Sequence, residues 1–94
     1  MMNEMKKAVI TVIGVDKKGI IARVSAKMLE HDANILDISQ TVVSGLFNMV
    51  LIADISSENC VFEKLSDALR EVGENMGLQI RTQRSEIFEA MHQV

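Results

Sequence analysis

Between residues 35 and 55, two runs rich in Ile, Val and Leu are parted only by Ser44-Gly45. Such a pair suits a tight hairpin turn, so residues 35–43 and 46–55 are read as antiparallel strands. A two-stranded hairpin is marginal in water, so its neighbours must supply the fold. Upstream, residues 8–13 form a nearly unbroken β-branched run, apolar at both parities, which predicts a central strand. Ile20, Ile21, Val24, Met28 and Leu29 then share one helical arc, with Arg23, Lys27 and Glu30 opposite. This predicts a helix over residues 19–31, capped by Asp16. Downstream, Val61, Phe62, Leu65, Ala68, Leu69, Val72 and Met76 make the cleanest stripe in the chain. A second helix over residues 61–76 follows, started by Ser57 or Asn59 and ended by Gly77. The alternation of "LQIRTQR" then predicts an edge strand with one wet face. Finally, Ile87, Phe88 and Met91 give residues 85–93 the pattern of a short helix, which needs a surface to lean on.

The resulting order, βαββαβ, is that of an α+β ferredoxin-like sandwich, a four-stranded antiparallel sheet with both helices on one face. The whole chain, residues 1–94, is expected to be one domain, with its core over about residues 7–84 and the short C-terminal helix beyond. The hairpin strands are apolar at both parities: Leu46, Val50 and Ile52 alternate with Phe47, Met49 and Leu51. A sheet that is dry on one side only does not demand this. A second copy of the chain is the simplest cover, with the C-terminal helix contributing. Face-to-face stacking is the favoured geometry, and side-by-side pairing through the first helix and an edge strand is the competitor.

Composition removes several function classes. The chain has only three aromatic residues, all Phe, and its formal charge of −3 argues against a nucleic-acid partner. The first strand also offers Val, Ile and Thr where an RNA-binding sheet would present stacking rings. His31, His92 and Cys60 lack metal-ligand spacing, so neither a metal nor another cofactor is expected. No carboxylate pair or nucleophile beside a histidine suggests catalysis, and the chain reads as a non-enzyme. A lone cysteine, no signal-like start and no apolar run of about 20 residues point to the cytoplasm and away from a membrane.

The apolar strand followed by "VDKKGIIARVS", a helix and then "DANILDISQ" resembles the ACT domain, a small regulatory module associated with amino-acid metabolism. The likeness spans roughly residues 7–84. It extends to the short stand-alone bacterial and archaeal members related to glycine cleavage repressor-like proteins. Its specific part is Asp16, Gly19 and Ile20 in the first loop, and Asn34, Ile35, Asp37, Ile38 and Gln40 in the next strand. Where many members carry a proline before the glycine, this chain has Lys17-Lys18-Gly19, which makes a less rigid loop.

The resemblance implies a regulatory module that binds an amino acid or related metabolite where two copies meet and passes that state to a protein partner. The implied ligand-binding residues are Asp16, Lys18, Gly19, Ile20, Asn34, Ile35 and Asp37, with Gln40 a further candidate. The chemistry of the loop agrees. A glycine beside a helix N-terminus leaves N–H groups free for a carboxylate, and Asp16 with the side-chain oxygen of Asn34 would accept from an ammonium. Asp16 and Asn34 are expected at neighbouring strand ends. The bland alternatives are that Asp16 only caps a helix, Asn34 only turns the chain and Lys17 and Lys18 are solvated charge. The competing function is a structural or adaptor dimerisation module with no small-molecule ligand.

Overall fold

The computed structural model describes residues 5–85. The elements are β1 (Lys7–Val15), α1 (Ile20–Glu30), β2 (Asn34–Val43), β3 (Leu46–Asp54), α2 (Phe62–Met76) and β4 (Leu78–Arg84). They form one antiparallel sheet in the order β2-β3-β1-β4, so β1 is central and β2 and β4 are the edges. This is the expected ferredoxin-like sandwich. The expected C-terminal helix lies, except for its first residue, outside the described residues.

The hairpin between β2 and β3 closes as its composition requires. Ser44 and Gly45 both take positive φ, 53° and 78°, the pairing of signs that matches the twist of the flanking strands. Alternation then sorts the side chains. Ala8, Ile10 and Val12 of β1, Phe47, Met49, Leu51 and Ala53 of β3, and Leu78 and Ile80 of β4 join one buried cluster with α1 and α2. The helices contribute Ile20, Val24 and Met28 from α1, and Leu65, Leu69, Val72 and Met76 from α2. Burying nine side chains almost completely, from Ile10 and Met49 to Leu69, supplies the main favourable term of the fold, at about 1.5–3 kcal/mol for each large one.

The outermost strand is different. All of β2 is exposed except Ile35, which is half-buried against the core. Residues of β2 paired with Phe47, Met49 and Leu51, namely Val42, Gln40 and Ile38, share the helix side of the sheet but remain exposed. On the opposite face of the sheet, Ile13, Val15, Leu46 and Val50 are exposed as well.

Three local expectations are corrected. Leu29 is 79% exposed, because the packed stripe of α1 is only as wide as Ile20, Val24 and Met28. Asp16 does not cap α1: the N-cap is Gly19, and no side chain bonds to the start of this helix. Ser57 and Asn59 do not cap α2, whose N-cap is Val61. The Ser57 hydroxyl instead donates to Asp32 and accepts the Asn59 backbone N–H, closing a turn ahead of the helix.

Candidate functional site

The connection from β1 to α1 is held at three points. The Asp16 N–H donates to the carbonyl of Gly45 at 2.9 Å, tying the loop to the hairpin turn. The Lys17 ammonium donates to the carbonyl of Met76 at 2.5 Å, tying it to the end of α2. Gly19, at φ 86° and ψ 7°, then turns the chain into α1 through a left-handed conformation that a side chain rarely adopts. Its carbonyl accepts the first helical bond, from the Arg23 N–H at 3.0 Å.

This geometry leaves the start of α1 open. No side chain bonds there and the first turn holds no acidic residue, so its N–H groups and the positive end of the helix dipole face outward unclaimed by a cap. They border a cleft of about 500 Å³. One wall is Asp16, Lys17, Gly19 and residues 20–22; the other is Gln40 and Val42 of β2, with Phe47 of β3 at its base. The cleft therefore combines helix N–H donors, a carboxylate, a side-chain amide and an apolar floor, and it is bordered by Lys17, whose ammonium is held at the end of α2. Two of its lining residues belong to β2, an edge strand of the sheet.

The residues implied by the resemblance divide between two ends of the molecule. Asp16, Gly19 and Ile20 line the cleft, as does Gln40, whereas Lys18 is not among the lining residues. The expectation that Asp16 and Asn34 meet at neighbouring strand ends is overturned. β3 lies between β1 and β2, and α1 carries the chain the length of the sheet before β2 begins. Val15 pairs with Leu46 while Asn34 pairs with Asp54, eight residues along β3, or about 26 Å at strand rise. Ile35 is spent partly on the core. Asp37 pairs with Ile52 on the face away from the helices, and its carboxylate accepts the Ile38 N–H at 2.9 Å. The sequence reading missed Lys17, Ile21, Ala22, Val42 and Phe47 as site residues. The parity of the hairpin carried the signal for the last two, since Val42 and Phe47 pair on the helix side.

Elsewhere, the described residues bring together no group of three His, Cys, Asp or Glu side chains suited to a metal. Burial, with Asp32 and Asp54 adding, pushes the Cys60 thiol up from its ordinary value, which disfavours the reactive thiolate. No helix among the described residues is long and apolar enough to cross a membrane.

The chain is thus a ferredoxin-like sandwich with a cleft between the first loop and an edge strand. The chain belongs to the ACT domain family: the family model described as "ACT domain" matches residues 6–83. A UPF0237 protein from Bifidobacterium longum is 46% identical over 90 residues, covering 96% of this chain and all of the relative. Among solved structures, an ACT domain protein from Streptococcus pneumoniae is 38% identical, with a TM-score of 0.78 over 92% of this chain and 97% of that one. A chain described as a candidate glycine cleavage system transcriptional repressor superposes with a TM-score of 0.77 at 22% identity. It matches in fold, over 88% of this chain and 47% of its own length.

Proposed function

We propose that this chain is a non-catalytic sensor that binds a small amino acid or related metabolite at the β1–α1 cleft, between two copies of itself, and signals to a protein partner in the cytoplasm. The observation that carries this reading is the cleft itself, an uncapped helix start beside Asp16 and Gln40, walled by the edge strand β2. The ligand carboxylate docks on the N–H groups of residues 20–22, and its ammonium is met by Asp16 and the side-chain oxygen of Gln40. Membership of a regulatory family and likeness to a repressor-type structure agree with sensing rather than catalysis.

The second copy joins along that strand. β2 is a ten-residue edge strand with Leu36, Ile38, Val42 and Val43 exposed, an edge that would otherwise template unwanted pairing. Antiparallel pairing of two β2 strands about a two-fold axis runs the start of one against the end of the other. The partner subunit's Asn34 then comes to the Val42 end, beside the cleft. Edge pairing thus brings the Asn34 end of one β2 towards the cleft end of the other, while Ile35 stays against its own core and Asp37 on the face away from the helices, and it is preferred here to face-to-face stacking.

A thermal-shift screen against the proteinogenic amino acids tests the reading. A ligand at 100 times its Kd stabilises the folded state by about 2.7 kcal/mol, a readily measured rise in Tm for a domain of this size. One or a few related amino acids raising Tm is the expected result. No response from any amino acid, in a protein that still dimerises, favours the adaptor alternative, for which the apolar edge of β2 is the supporting observation.

A further inference from the structure

Lys17 stands in two places at once. Its ammonium donates to the carbonyl of Met76 at 2.5 Å, and the residue also borders the cleft at the start of α1. The end of α2 has a use for it. The helix carries no basic residue in its last turn, where Glu74 instead adds negative charge at the negative end of the dipole. Gly77 follows in a left-handed C-terminal conformation at φ 70°, its N–H bonded back to Gly73. A Cβ built on Gly77 would sit 3.5 Å from the Lys17 ammonium, which shows how closely the lysine lies over this turn. The described ion pairs are Lys27 with Glu30, Arg70 with Asp67 and Arg84 with Glu63; none involves Lys17.

We propose that Lys17 is the cation that reads the carboxylate of the ligand, held ready by the last carbonyl of α2, and that occupancy of the cleft is thereby coupled to the α2–β4 turn. This rests on the sensor reading above. A carbonyl holds an ammonium by a partial charge, whereas a carboxylate offers a full one, so a bound carboxylate draws the ammonium into the cleft. The C-terminus of α2 then loses its borrowed cation. Lys18, which the resemblance implied as the ligand-binding lysine, has no such tether and is not among the lining residues, so the structure favours Lys17 in its place.

The test is backbone-amide NMR on the whole chain and on Lys17→Met, Lys17→Arg and Lys18→Met. In the free protein, Lys17→Met should speed exchange of the Gly77 amide roughly fivefold, the size expected for losing a cation at a helix C-terminus. Lys17→Arg should restore protection and Lys18→Met should leave it unchanged. Unchanged exchange at Gly77 in Lys17→Met overturns the tether. Glycine, acetate and methylammonium chloride are then titrated in turn. Glycine and acetate should shift the amides of residues 19–22 together with Gly77, and methylammonium should shift neither. Lys17→Met should abolish the Gly77 response and weaken glycine binding about tenfold, the loss of one charge-assisted bond. Carboxylate-dependent shifts at residues 19–22 that are the same in Lys17→Met overturn the role of Lys17 alone. No shift at residues 19–22 with any carboxylate, in a protein whose free-state tether is intact, defeats the sensor reading and with it the carboxylate-reading role.

Discussion

Two single residues show how local chemistry sets the molecule's tolerances. Ser44 holds φ 53° without the freedom of glycine, a conformation that costs an ordinary residue roughly 1–2 kcal/mol. Asn tolerates it better and forms the preferred first half of this turn. Ser44→Asn is therefore expected to raise stability by about 0.5–1 kcal/mol, recovering part of that cost, as read from urea unfolding. Asp54 sits at the other end of the hairpin, where hydrogen bonds from the Ser56 hydroxyl and backbone N–H hold its carboxyl below the ordinary 3.8, with Lys7 adding to the shift. A depressed folded-state value means that its contribution is complete above the unfolded value and is lost as the pH falls through the folded one. Asp54→Asn should accordingly flatten the decline of stability below about pH 4 and leave its slope near neutrality unchanged.

At the scale of elements, burial separates residues that the helical period treats alike. Leu69 of α2 is fully buried, and Leu69→Ala should cost about 2–5 kcal/mol, a large share of what a domain this small possesses. Leu29→Ala should change chain stability by no more than about 0.5 kcal/mol, since little of that side chain is covered. Equilibrium denaturation of both variants checks the pair. Both leucines were legible as members of apolar arcs, but only one faces the core. Leu29 lies roughly 140° around α1 from Val24, and its arc was read as wider than the sheet beneath can cover. The strands were legible for a related reason. Alternation fixes which residues share a face, and Leu78–Arg84 emerged with the expected bounds. Strand order was harder to read, because nothing in local pattern says that β3 rather than β2 lies beside β1. That is why Asp16 and Asn34 were expected together. The sequence reading chose Lys18 over Lys17, because local pattern does not show that the end of α2 arrives beside the loop and holds Lys17.

For the whole molecule, the two exposed apolar regions make opposite predictions about pairing. Ile38 lies on the bare edge strand, on the helix side, while Val50 lies on the open face of the sheet. Both are partly exposed in the single chain, so a lysine at either place leaves the core intact. With edge pairing, Ile38→Lys should shift sedimentation at micromolar concentration towards monomer and Val50→Lys should not. The reverse result would support stacked sheets. The irregularity between Ile35 and Asp37 gives edge pairing a further property. An extra residue interrupts the alternation near one end of β2, so sliding a second copy along the strand would set this kink against a straight stretch and misalign the ladder. Two copies joined in this way have a single rest position, and the distance between their paired clefts is set by where Leu36 falls in the chain.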